Sequence, residues 1–339
     1  MSDREDQINT FLQANGWGPR ARRPLANDAS FRRYERLREG TRTAVLMDAP
    51  PPQEDIQSFV SMARHLAALG YSAPHITAED LKHGLLILED LGDHTYTRVL
   101  SETPEREADM YAMAVDLLID LHRRPAAESL PPGLALYDLE LLNQEALLLP
   151  DWFMPAIMGV PTPAPVRASY LAAWRDSLTQ AVRHPPTLVL RDFHVDNLMW
   201  LADRNGIQAC GLLDFQDAVA GPAAYDLMSL LEDARRDIAP DLIATMMERY
   251  LAAFPALDRD AFRAAFTILA AQRHAKVIGI FTRLCIRDAK PAYLLHIPRV
   301  WRLLEASLKH PALDAVAAWF AEHVPPNLRI TPPNPTRQP

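Results

Sequence analysis

The chain has 339 residues, 49% of them apolar and 23% charged, with a formal net charge of −8 and two cysteines. That length and composition are those of a soluble globular protein with room for two lobes, each able to bury a core. The acidic balance argues against nucleic acid as a partner. No apolar stretch approaches the length of a bilayer span, and MSDREDQINT lacks a basic–apolar leader pattern, so a cytoplasmic location is expected.

Taken in order, Ser2 and Glu5 form a capping box for a first helix with Ile8, Phe11 and Leu12 on its apolar face, ended by Gly16 and Gly18. Two strand-like runs follow, around Arg20–Leu25 and Ser30–Leu37, joined by Ala26-Asn27-Asp28-Ala29. A third strand is expected over Thr43–Met47. From Gln53 to Leu69, Ile56, Phe59, Val60, Ala63, Leu66 and Leu69 recur at helical spacing. Strands are expected again at His75–Ala78 and Leu85–Leu88, then a turn at Glu89-Asp90-Leu91-Gly92. Lysine occurs only at 82, 276, 290 and 309, so arginine carries most of the positive charge.

Beyond residue 93 the periodicity is mainly helical: Pro104–His122, Leu136–Leu149, and most of Pro240–His323. Glu145 and Trp152 fall in a helical insert, as either ligand contacts or packing residues. Arg273, Lys276 and Arg283 bring positive charge into the long helix over Asp258–Leu284, as ion-pair partners or as pocket-lining cations. Residues 325–339, rich in Pro, Asn and Thr, suggest a disordered tail. Cys210 and Cys285 lie in apolar contexts and are expected to be buried free thiols.

The helical pattern is broken once, at residues 188–217. Leu188–Leu190 is a strand-like run that enters the polar loop Arg191-Asp192-Phe193-His194-Val195-Asp196-Asn197; Leu198–Leu201 returns, and Gln208–Leu213 delivers Asp214. A carboxylate, an amide oxygen five residues on, and a second carboxylate across a hairpin are the parts that phosphoryl transfer requires: Asp192 as proton acceptor, Asn197 and Asp214 as hard oxygen ligands for Mg²⁺. His194 in Asp192-x-His194-x-Asp196 admits a zinc reading, but the other histidines are scattered singly, so His194 is taken as a loop-shaping or substrate-touching residue and Asp196 as structural. Asp217 is placed to reach an acceptor or to stabilise the loop.

Asp192-x-x-x-x-Asn197 followed by Asp214-Phe215 resembles the catalytic loop and metal-binding aspartate of the protein-kinase-like fold, and Gly221-Pro222-x-x-Tyr225-Asp226-Leu227 is similar to its aminoglycoside and choline phosphotransferase branch. Leu190-Arg191 stands where the antibiotic kinases carry His-Gly. A fuller resemblance runs through Asn27–Tyr34, Met47–Pro51, Leu88–Asp93, Gln272–Leu284 and Arg287-Asp288-x-Lys290, and is to the anomeric kinases of N-acetylmuramate and N-acetylglucosamine in cell-wall recycling.

That resemblance implies an α+β, bilobal fold: an N-terminal nucleotide-binding lobe over 1–92, with an antiparallel sheet and a packing helix, and a largely helical catalytic and acceptor lobe over 93–324. It implies ATP and Mg²⁺, an amino-sugar acceptor and no obligate protein partner. Ala29, Ser30, Phe31 and Arg32 would meet the phosphates, Glu89 and Leu91 the adenine hinge, and Glu145, Trp152, His194, Asp217 and Arg273 the sugar. The strand-3 lysine of protein kinases is missing, which leaves its place to an arginine or to metal and backbone. Rival readings are an aminoglycoside or choline-like phosphotransferase and a non-catalytic binding protein on a kinase fold.

Overall fold

A computed structural model describes residues 3–18, 22–25 and 32–334. The chain divides into two compact units, one built from Met1–Leu117 with Asp192–Ala218, the other from Leu118–Arg191 with Val219–Pro339.

The first unit holds a five-stranded antiparallel sheet in the order β1-β2-β3-β5-β4, with β1 at Arg22–Pro24, β2 at Arg33–Glu39, β3 at Arg42–Asp48, β4 at Ile76–Asp80 and β5 at Leu85–Leu88. β5 is buried along its whole length, as its unbroken Leu-Leu-Ile-Leu run demands of a strand flanked on both sides. Helix Asp3–Ala14 lays Ile8, Phe11 and Leu12 against Leu37, Ala44, Leu46, Leu85 and Ile87 of the sheet. Helix Gln57–Ala68 buries Phe59, Val60, Met62, Ala63 and Leu66. It begins later than the periodicity suggests because Pro51 and Pro52 and the short turn after them precede it.

The chain returns to this unit at Asp192 with a two-stranded hairpin, β7 at Leu198–Trp200 and β8 at Cys210–Leu212, paired Leu198↔Leu212 through Trp200↔Cys210. Within the same unit Phe215 stacks on Phe59 of the packing helix, ring centroids 5.1 Å apart. The residue after Asp214 is thereby locked into the apolar core.

In the second unit β6, Thr187–Val189, pairs antiparallel with β9, Val219–Gly221, a strand too short to show in the sequence. Helices Leu139–Ala146, Ala164–Ala181 and Arg259–Asp288 belong to the same unit and pack on one another. Gly279 of the longest helix meets the backbone of Leu148: a Cβ there would lie 2.3 Å from the Leu148 carbonyl. That close approach sets the register between the long helix and residues 142–148. The tail expectation is corrected over its first half. Pro326–Leu328 forms a 3₁₀ turn, and Arg329 bonds the Val324 carbonyl (2.9 Å) and Glu305 (2.8 Å), which ties the chain down; residues 335–339 lie outside the described ones.

Candidate active site

The strand-end loops place Asp192, Asn197 and Asp214 together. Asn197 donates its Nδ2 to the Asp192 carbonyl (3.0 Å) and lies 3.4 Å from Asp214 Oδ2, and its own carbonyl accepts the Leu213 N–H (2.9 Å). The planar amide thus has its nitrogen committed to the loop, which leaves Oδ1 as the acceptor for a ligand. Gln216 holds the other oxygen of Asp214 (Nε2–Oδ1 2.7 Å). Gln216 is a site residue that pattern reading missed; its only cue is its place two residues after the metal-type aspartate. Asp214 itself has φ +58°. That left-handed conformation costs roughly 1–2 kcal/mol for a residue with a Cβ, and is held by the hairpin and by the buried Phe215.

The loop is braced further. His194 is buried and its carbonyl accepts the Asn197 N–H (2.9 Å), in keeping with a loop-shaping role. The Thr97 hydroxyl donates to Asp196, and the Thr97 N–H to the Val195 carbonyl (3.2 Å), two bonds that tie the loop to Thr97. Asp217 is exposed and touched by the Gln216 amide (3.5 Å). Among the described residues no group of three or more His, Cys, Asp or Glu forms a metal cage, which removes the support for a zinc site. The residues present do fit Mg²⁺, which takes one or two protein oxygens and completes its octahedron with phosphate and water. Asn197 Oδ1 and the Asp214 carboxylate would be that donor set.

Ala29, Ser30 and Phe31 lie outside the described residues. Arg32, next to them, forms a half-hidden ion pair, Nε to Glu54 Oε2 3.0 Å, with the two side chains only 11% and 12% exposed. Burial works against the charge on Arg32, while Tyr34 and Glu54 raise its basicity. Protein kinases pair a strand-3 lysine with a helix glutamate; here an arginine one strand earlier meets the glutamate just ahead of the packing helix. Glu89 pairs with Arg204 on its side chain, and its N–H donates to the His75 carbonyl (2.7 Å). Leu91 approaches the hairpin at Gly211.

The acceptor candidates of the second unit, left open between ligand contact and packing, are largely withdrawn from solvent. Glu145 is 6% exposed; Lys276 Nζ meets its Oε1 at 2.6 Å, Arg191 and the Tyr137 hydroxyl contact it, and Gln272 Nε2 lies 3.4 Å away. Burial would raise its pKa, but Lys276 and Arg191 hold it below the ordinary carboxylate value. Arg273 is buried with Nη1 3.4 Å from the Tyr225 hydroxyl. Trp152 is half-buried in the π-helical turn Leu149–Phe153. Asp226, fully buried, accepts the N–H groups of Leu190 (2.6 Å) and Arg191 (2.9 Å), ahead of Asp192.

The profile of the phosphotransferase enzyme family (APH) matches residues 21–264, and the chain belongs to that family. Two relatives carry the match over nearly the full length. The N-acetylmuramate/N-acetylglucosamine kinase of Caulobacter vibrioides is 37% identical, with 97% of this chain and 99% of the relative covered. That of Pseudomonas aeruginosa is 39% identical, over 95% and 98%. In structure the chain is similar to choline kinase LicA from Streptococcus pneumoniae, with a TM-score of 0.62, 10% identity, and 91% and 100% of the two chains covered. The fold is accordingly protein-kinase-like, with the antiparallel sheet of an N-terminal lobe and a helical C-terminal lobe.

Proposed function

We propose that the protein is an ATP-dependent sugar kinase that phosphorylates the anomeric hydroxyl of N-acetylmuramate and N-acetylglucosamine, giving sugar 1-phosphates in the recycling of peptidoglycan. The observation that carries this reading is the whole-length similarity to kinases of those two sugars, combined with the Asp192–Asn197–Asp214 arrangement.

In the reaction the Asp192 carboxylate orients the anomeric hydroxyl and accepts its proton. The new P–O bond forms to that oxygen as the bond from the γ-phosphorus to the leaving ADP oxygen breaks. A positioned base of this kind contributes about 10²- to 10⁴-fold in rate. Asn197 and Asp214 would hold Mg²⁺, which supplies charge neutralisation at the phosphates. Arg32, oriented by Glu54, takes the place of the absent lysine as the cation for the phosphates, and the Glu89–Leu91 turn meets the adenine. His194, Asp217 and Trp152 are the acceptor-side candidates.

The test is ADP release with Mg²⁺-ATP and N-acetylmuramate, N-acetylglucosamine, kanamycin or choline, with phosphorus NMR of the product. A sugar-dependent signal with a 1-phosphate resonance is the expected result. Activity confined to kanamycin or choline would overturn the acceptor assignment and leave the phosphotransfer site standing.

A further inference from the structure

Arg191, the residue bonded to Asp192, is held in the left-handed region at φ +69°. A side chain with a Cβ stays there only where its surroundings determine it. Asp226 accepts the Leu190 and Arg191 N–H groups, and the guanidinium carried by that same short stretch of backbone is gripped as well. It pairs with Glu145 and lies over the Tyr137 ring, 5.6 Å from the centroid. Glu145 is in turn fixed by three groups besides Arg191: Lys276, Gln272 and the Tyr137 hydroxyl. Their positions follow from helix register. Gln272, Lys276 and Gly279 stand at i, i+4 and i+7 on the long helix, and they meet Leu142 (Gln272 Nε2 to its carbonyl, 2.9 Å), Glu145 and Leu148 in the same order. The side chain of Arg191 is therefore seated by a rigid two-helix contact rather than by the catalytic loop.

We infer that Glu145, oriented by Lys276, is a positioning residue for the reaction: it holds Arg191 in the left-handed conformation that aims Asp192, and it does not touch the acceptor. The inference rests on the phosphotransfer reading for its kinetic consequence, but the clamp itself can be probed without turnover.

Glycine adopts positive φ without strain and alanine does not, so the two substitutions at 191 separate conformation from charge. Arg191→Ala is expected to lower kcat about tenfold with both KM values within about twofold, the pattern of a lost transition-state alignment, while Arg191→Gly keeps most of kcat. The double variant Glu145→Gln/Lys276→Met removes the carboxylate without stranding its lysine. It should lower kcat about tenfold when Arg191 is present and add little in the Arg191→Gly background. Amide hydrogen exchange at Leu190 and Arg191, followed by mass spectrometry on the nucleotide-free protein, should speed up in the double variant.

Equal loss in the alanine and glycine variants would overturn the inference. So would a rise in the sugar KM with kcat retained in the double variant, which would make Glu145 an acceptor contact. If the double variant does not fold, the alanine–glycine comparison decides alone. Should the wild-type chain turn over neither amino sugar, the phosphotransfer reading fails on its own account, and unchanged exchange at 190 and 191 would still refute the clamp.

Discussion

The hairpin segment Asp192–Ala218 and the buried cluster around Glu145 are both polar, and both bear on Asp192, yet they are built on opposite plans. The hairpin brings its polar groups together from one contiguous stretch, and Asp192, Asn197 and Asp214 are half-exposed. The cluster draws Tyr137, Glu145, Arg191 and Lys276 from distant parts of the chain around one carboxylate and buries all but Arg191, which stays partly exposed. In the first, side chains are kept available for a substrate; in the second they satisfy one another and fix a backbone. Loss of a hairpin group should therefore damage turnover and spare stability, and loss of a packing or buried polar group in the second unit should show in stability.

The largest effect that sharpens this contrast is expected from Asp192→Asn: turnover falls about 10²- to 10⁴-fold, while calorimetric ATP affinity and the thermal midpoint stay near wild type. Unimpaired turnover would remove Asp192 from its role. On the other side stands His122, partly buried in the second unit with Nδ1 2.8 Å from the Tyr250 hydroxyl; the loss of solvent around the ring pushes its pKa from the ordinary 6.5 down to about 4. The unfolded chain takes up that proton below pH 6.5 and the folded chain resists it until about pH 4. Its contribution is thus present above pH 6.5 and lost as the pH falls toward 4, a change of roughly 3 kcal/mol. Urea unfolding across that range should show a shallower decline for His122→Gln; parallel curves would count against it.

Gly279→Ala comes next. The new methyl would strike the Leu148 backbone, and overpacking of this kind costs about 1–3 kcal/mol, against a gain in helix propensity of roughly 1 kcal/mol. A lower thermal midpoint together with reduced kcat is expected, because the register that seats Lys276 beside Glu145 is lost; a more stable protein would contradict the close approach. The smallest effect is set for Arg32→Ala, with ATP affinity weakened about tenfold and adenosine affinity unchanged, and with recovery in Arg32→Lys. Equal weakening of both ligands would place Arg32 in the fold of the sheet rather than at the phosphates.

Much of the hairpin was legible because its information is local. Asp192, Asn197 and Asp214 stand at a fixed spacing between short apolar runs, and the pairing of β7 with β8 follows from the turn between them. Asp226, part of the Gly221–Leu227 motif, accepts the N–H groups of Leu190 and Arg191. The Glu145 cluster was not legible. A carboxylate in an insert looks like a ligand contact until Lys276, far along the chain, is known to sit on it. For the same reason Arg32 and Glu54 are each ambiguous alone and become a pair only in three dimensions. The helix Ala164–Ala181 escapes periodicity because alanine and polar residues occupy most of its positions, and only Tyr170, Trp174, Ser177, Leu178 and Ala181 are buried. β9 escapes because Val-Ala-Gly has no alternation to read.

The division of the chain into units made of two stretches each has a consequence for its birth on the ribosome. The sheet of the first unit emerges early, but the hairpin bearing Asp192, Asn197 and Asp214 follows only after the whole of Leu118–Arg191 has been synthesised. A nascent chain therefore presents the sheet with none of the three groups proposed to carry the reaction. Closing such a long excursion carries only a modest entropic cost, since that cost grows with the logarithm of loop length. With the roles proposed for those three groups, the reactive site is completed only once the hairpin has been translated.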